Sequence, residues 1–299
     1  VDFDWQGLEA AIRAQITGFV RQTRAENPDD TLYGAAVHEF YAESGGVIMW
    51  TLVGVASEET VDDDAVRWSP ADWEWQLDPT EAEEEWARRL TAAATAGDWD
   101  AVHERYLSTV VAACTSARHE LAPEVGADFV VVAMDEAWEL TPRSVTADQL
   151  RRHFPELDEQ RRELDRLAAL PAMTRAAELI TLVEAPAAVN REQAHELLKE
   201  IGPAVVPLVV ARLSQAREKW QWAMLLAELG VADDTVIDAL ETVLDNKKLR
   251  EPDRAWAAAA LARLGRMDLV TERLPRLPEE VGVRGLTGPY LSFRDDGAH

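Results

Sequence analysis

The stretch Glu196-Leu197-Leu198-Lys199-Glu200-Ile201-Gly202-Pro203-Ala204-Val205-Val206-Pro207-Leu208 decides the reading of the C-terminal half. Leu198 and Ile201 precede Gly202 by four residues and by one. The spacing recurs at Leu226, Leu229 and Gly230, and again at Leu261, Leu264 and Gly265, in copies about 28–35 residues apart. Apolar residues at this spacing line one face of a helix, and the glycine supplies the left-handed residue that ends it. A second apolar helix then turns back. Pro203 to Leu208 opens the first return helix, and Asp233-Asp234 caps the second, which carries Val236, Ile237, Leu240 and Leu244. A hairpin of this kind buries its apolar face only against neighbouring copies, so the pattern predicts a helical stack.

At these residues the chain resembles HEAT-like repeat proteins, over roughly residues 190–274. A helix at 172–184 is expected to cap the stack. Residues 275–299, with Gly282, Gly285, Gly288, Pro289 and Gly297, show no helical period and read as an irregular tail. The divisions expected are therefore an acidic domain over 1–170, HEAT-like repeats over 171–274 and the tail over 275–299.

Working toward the N-terminus, the pattern becomes α+β: an antiparallel sheet with flanking helices, followed by the all-α HEAT-like solenoid. Trp5, Leu8, Ala11, Ile12, Gln15, Ile16, Phe19 and Val20 form one stripe of a helix over 4–25. Two β-type runs, 32–41 and 47–57, flank Glu43-Ser44-Gly45-Gly46 and predict a hairpin. Residues 66–77 carry Trp68, Trp73 and Trp75 and read as a strand or irregular edge. Helices are expected over 80–96 and 99–121, a short apolar strand over 127–134, and further helices over 146–153 and 156–169.

The segment order, with Arg67-Trp68-Ser69-Pro70-Ala71-Asp72-Trp73 and Asp128-Phe129-Val130-Val131-Val132, resembles the bacterial family called domain of unknown function 4303, over about residues 3–160. That resemblance implies a context like that of immunity proteins of bacterial toxin systems. It implies no catalytic residue.

Charge narrows the class of partner. The net charge is −25. Residues 1–150 hold 30 Asp and Glu against 9 Lys and Arg, or −21, and residues 151–299 hold 25 against 21, or −4. A field of that sign repels phosphate backbones and attracts basic surfaces, so nucleic acid is not expected as a partner. No apolar run approaches the roughly 20 residues of a membrane span. Val1-Asp2-Phe3-Asp4 lacks the pattern of a signal peptide, and a single cysteine, Cys114, fits a reducing cytoplasm.

Catalytic motifs are sparse. The histidines are His38, His103, His119, His153, His195 and His299, and none falls in a zinc-binding His-Glu-x-x-His. His103 and His119 share a predicted helix but point about 160° apart. Ser44-Gly45-Gly46 lacks the preceding glycine of a nucleophile elbow. Asp62-Asp63-Asp64 lacks the alternation of a calcium loop, and the glycines of 282–288 lack the strand-then-helix context of a phosphate loop. No metal and no cofactor is called for.

The tryptophans stand out, eight of the eleven lying in residues 1–150. In an extended chain Trp73 and Trp75 point the same way, with Asp72 and Glu74 opposite. Such rings either cap a sheet or form an interface anchor rimmed by acids. Trp220 and Trp222 face about 200° apart on a helix, with Trp222 expected in the core and Trp220 at the surface. Trp68, Asp72, Trp73, Glu74, Trp75 and Trp220 are the candidate partner-binding residues. The reading favoured is a non-enzymatic module, of immunity or antitoxin type, that binds a basic protein. The alternative is an enzyme with a site between the two halves, for which His38 and His103 are the first candidates.

Overall fold

In the computed structural model the described residues are 3–43, 46–61 and 66–291. Asp62-Asp63-Asp64 and Ser44-Gly45 lie outside them. The chain divides between Asp158 and Glu159 into two compact units.

The N-terminal unit opens on α1 (Trp5–Glu26), whose Asp4 cap accepts a hydrogen bond from the Gly7 amide at 2.9 Å. Its expected stripe is the buried face: Leu8, Ile12, Gln15, Ile16, Phe19 and Val20. Then follow β1 (Leu32–His38), β2 (Leu52–Ser57), β3 (Trp75–Leu77), α2 (Glu81–Ala96), α3 (Trp99–Val125) and β4 (Val130–Ala133). The short helices α4 (Thr141–Ser144) and α5 (Ala147–His153) complete the unit, together with the start of α6 (Pro155–Ala168).

The sheet order is β3-β2-β1-β4. β1 pairs antiparallel with β2, as the hairpin reading required, and β2 with β3. β4 pairs parallel with β1, so the sheet is mixed, not antiparallel throughout as expected. The long passage through α2 and α3 returns the chain to the far side of β1 in the same direction. Val130 to Ala133 are all buried, the pattern of a strand covered on both faces. The outer edge of β4 is closed by side chains: the Ser144 hydroxyl accepts from the Ala133 amide at 3.0 Å, and the Thr141 hydroxyl donates to the Ala133 carbonyl at 3.1 Å.

Alternation along the strands sorts residues between two cores. Val37, Val53, Val55 and Val131 face α1 and α3. Ala36, Ala56, Val130 and Val132 face a second core with Tyr33, Trp73, Leu150 and Phe154. Cys114 is fully buried in the first, where burial pushes its thiol up to about 12.

The C-terminal unit is all helical among its described residues: the rest of α6, then α7 (Ala172–Glu184), α8 (Arg191–Ile201), α9 (Val206–Gln215), α10 (Trp220–Leu229), α11 (Asp234–Asp245), α12 (Glu251–Arg263), α13 (Met267–Arg273) and α14 (Glu279–Leu291). Leu198, Leu226 and Leu261 are fully buried, and Gly202, Gly230 and Gly265 adopt φ of 77°, 70° and 80°. One further device recurs at the same spacing. A basic side chain near the start of one helix donates to carbonyls ending the helix before it: Arg191 to Val183 at 2.9 Å, Lys219 to Leu213 at 2.6 Å, Arg254 to Leu244 at 2.9 Å. Each cation meets the negative end of a helix dipole.

Two expectations need correction. The division falls at 158/159, not 170, because the apolar residues of α6 change core within the helix: Leu157 packs with the second core of the first unit, Leu164 and Leu167 with the core of the second. Residues 279–291, expected to be irregular, form α14. Its glycines let it lie close on α12, since a Cβ at Gly288 would stand 2.5 Å from the Cβ of Ala259.

Candidate functional site

β1 and β4 run parallel, so their C-terminal ends emerge at one edge of the sheet, where ligands of open α/β sheets are commonly held. A cleft of about 640 Å³ lies there. β1 delivers His38 and Glu39, and the loop after β4 delivers Asp135, Glu136 and Trp138. Tyr41, Met49 and Trp50 come from the segment joining β1 to β2, and Trp68 from the loop before β3. The joining segment is held in extended pairing by an Ala42–Ile48 bridge, with the Met49 amide donating to the Tyr41 carbonyl at 3.0 Å.

Several independent features converge on this cleft. Tyr41, Met49 and Trp138 are exposed large apolar side chains, at 47%, 52% and 39%. Among the described residues the non-glycine positions with positive φ are Glu39 (58°) and Trp138 (60°), and both line the cleft. Such backbone is costly for residues with a Cβ and concentrates at functional sites. The Trp138 loop is tied by the Asp135 carboxylate, which accepts from the Leu140 amide at 2.8 Å.

The charge is one-sided. Glu39, Glu84, Asp135 and Glu136 border the cleft, and neither Lys nor Arg lines it. Glu39 and Glu136 form no ion pair among the described residues.

His38 is buried, and burial holds its imidazole below its ordinary pKa, so it is neutral near pH 7. Its Nε2 lies 3.0 Å from Gln76 Oε1. The Gln76 amide nitrogen donates to the Pro70 and Trp73 carbonyls, which fixes the amide so that its oxygen faces the ring. His38 therefore carries its proton on Nε2 and leaves Nδ1 as acceptor. No carboxylate is hydrogen-bonded to the ring among the described residues, so it lacks the acid that orients a catalytic imidazole.

The tryptophans expected to act together are divided by the sheet. Trp73 is buried in the second core, whereas Trp75 packs, half-buried, against the first. The reading that both point one way fails because the chain is not extended there: a short 3-10 turn over Pro70–Asp72 and a bend precede β3. Trp68 is the one that reaches the cleft, lying against Gly34, where a Cβ would meet its ring at 3.1 Å. It packs on Phe154 with ring centroids 4.7 Å apart. Asp72 and Glu74 are exposed outside the cleft lining. In the other unit Trp222 is fully buried as expected, and Trp220 is half-buried beside Trp256. His103 lies on α3 beside Tyr106, away from the residues lining the cleft. Tyr41, Met49, Trp138, Glu39 and Glu136 were not singled out in the sequence. Their only local signal is a bulky or charged residue at the end of a predicted strand.

Among the described residues no group of three or more His, Cys, Asp or Glu is placed to hold a metal ion, and no helix is long and apolar enough to cross a membrane. Residues 8–138 match the family described as Domain of unknown function (DUF4303). No curated protein and no solved structure gives a significant match to the chain.

Proposed function

We propose that the chain is a non-enzymatic protein-binding module whose N-terminal unit receives basic side chains of a protein partner in the cleft of His38, Trp68 and Trp138. The observation that carries this reading is the meeting of exposed Tyr41, Met49 and Trp138 with Glu39, Glu84, Asp135 and Glu136 where no Lys or Arg intrudes. Aromatic faces beside carboxylates suit an ammonium or guanidinium group, and the apolar walls cover its stem. The −21 of residues 1–150 would steer such a partner and make association salt-dependent.

We read the C-terminal unit as a HEAT-like solenoid that supports this module or offers a second surface. The supporting observations are the aligned glycine ends and the recurrent carbonyl-capping cation. An immunity or antitoxin role in the bacterial cytoplasm fits the family resemblance and the charge. The test is affinity capture at low and high salt, with wild type and a Glu39→Gln/Trp138→Ala variant side by side. A protein recovered at low salt by wild type and lost with the variant supports the reading. Equal recovery by both, or none, counts against it.

A further inference from the structure

His38 carries one atom that the fold leaves unused. The period of two along β1 puts the side chain on the face of Ala36, at the strand end that opens on the cleft. It is 4% exposed. Its Nε2–H donates to Gln76 Oε1 at 3.0 Å, which leaves the Nδ1 lone pair as an acceptor. No donor meets that lone pair among the described residues. Nor is Nδ1 shut off from solvent, as the unpaired Nε2 atoms of His153 and His195 are. A buried ring fixed through one nitrogen, with the other open and unpaired, is set for a donor that arrives from outside.

The surroundings specify the donor. Glu39 on β1, Glu84 on α2, and Asp135 and Glu136 after β4 line the same cleft; Tyr41 is its other titratable group, and no Lys or Arg lines it. The donor that suits them is cationic, a guanidinium or ammonium group whose remaining N–H bonds face carboxylates. We propose that His38 Nδ1 accepts an N–H of the partner's basic side chain, and that a proton taken up by the ring expels the partner. This role rests on the cleft being the site for basic side chains proposed above, and adds the atom that reads the partner and the condition that releases it. Protonation turns Nδ1 from acceptor to donor and sets a positive charge against the incoming one. Burial disfavours the protonated ring and prevails over Gln76 and Glu39, which favour it, so the acceptor form is present near pH 7. Linkage fixes the sign. A partner that binds the neutral ring loses affinity as pH falls through the pKa of the imidazole, and lowers that pKa when it binds.

The test titrates fluorescent hepta-arginine into the full chain between about pH 7.5 and about pH 5, with the His38 ring resonances followed alongside. Wild type is expected to lose affinity as pH falls, by at most about tenfold per unit, and the peptide to lower the His38 pKa. His38→Gln carries its polar atoms at the ε position, so it keeps a partner for Gln76 and lacks the Nδ1 acceptor; it is expected to bind about tenfold more weakly at the upper pH. His38→Asn places its oxygen at the δ position, in the place of Nδ1, and is expected to bind more tightly than His38→Gln. Both variants lose the pH dependence due to the ring, and any slope they share belongs to the carboxylates. The proposal is overturned if wild type has the pH profile of the variants, if the peptide leaves the His38 pKa unchanged, or if folded His38→Gln binds as tightly as wild type. Where a variant fails to fold by circular dichroism, the wild-type His38 pKa with and without peptide decides. Failure of the cleft as the basic-side-chain site looks different: hepta-arginine then binds Glu39→Gln/Trp138→Ala as tightly as wild type, and the role of His38 falls with it.

Discussion

Replacing Glu39 separates the cost of the cleft from its use. Glu39 is exposed and holds φ at 58°, in the left-handed region. A residue with a Cβ pays about 1–2 kcal/mol there, and glycine nearly nothing. Glycine gives back about 0.5–1 kcal/mol through the greater freedom of the unfolded chain. Glu39→Gly is therefore expected to stabilise the N-terminal unit by about 0.5–1 kcal/mol, while Glu39→Ala, which keeps the strain, stays near wild type. Both remove one carboxylate from the cleft and weaken binding of a basic partner equally. Urea unfolding followed by tryptophan fluorescence measures the first effect, and titration with the captured partner the second. If the glycine variant is less stable than the alanine variant, the backbone there is not strained. If both bind like wild type, Glu39 is not part of the site.

Three further outcomes follow from the geometry. His38 and His153 are both held below their ordinary pKa by burial, so the folded chain takes up protons only at lower pH than the unfolded chain; stability should fall as pH drops below about 6.5, and His38→Asn should reduce that slope in denaturant titrations. Asp253, 1% exposed, accepts from the Lys219 and Trp220 amides at 2.7 and 3.0 Å and so caps α10 from α12; Asp253→Ala should cost about 3 kcal/mol, seen as hydrogen exchange in α10 faster by about a hundredfold, and Asp253→Asn markedly less. A Cβ at Gly54 would stand 3.0 Å from the Trp73 ring and 3.3 Å from the Gln76 amide, so Gly54→Ala should cost about 1–3 kcal/mol and broaden the His38 imidazole signal by shifting its partner.

What the sequence revealed and what it hid follow one physical division. Local periodicity was legible. The stripe of α1, the glycine ends at Gly202, Gly230 and Gly265, and the burial of Trp222, which takes the place of Ala194 and Ala257 in the other copies, all follow from spacing within one helix. Long-range pairing was not. The parallel seat of β4 beside β1 is decided by where α2 and α3 return the chain, and Val130 to Ala133 would serve either direction. α14 was hidden because Gly282, Gly285 and Gly288 read as helix breakers, whereas Gly285 and Gly288 serve close packing on Ala258 and Ala259, and Gly282 on Leu274. The cleft was half visible. His38 and Trp68 drew attention by type, but Glu39, Tyr41, Met49 and Trp138 join them only after separate segments have been brought to one edge of the sheet.

The central claim is that this cleft, and not acidity in general, recognises basic side chains. The direct measurement is the affinity of a fluorescent hepta-arginine peptide for wild type, Glu39→Gln/Trp138→Ala and Asp72→Asn/Glu74→Gln at two salt concentrations. Each double variant alters carboxylates or aromatic area on the same acidic unit, but only the first lies on the cleft lining. The account predicts a roughly five- to thirtyfold loss for the cleft variant, from one carboxylate and one stacking ring at about 0.5–1 kcal/mol each, and a much smaller loss for the other pair. Equal losses, or a cleft variant that binds like wild type, would contradict it.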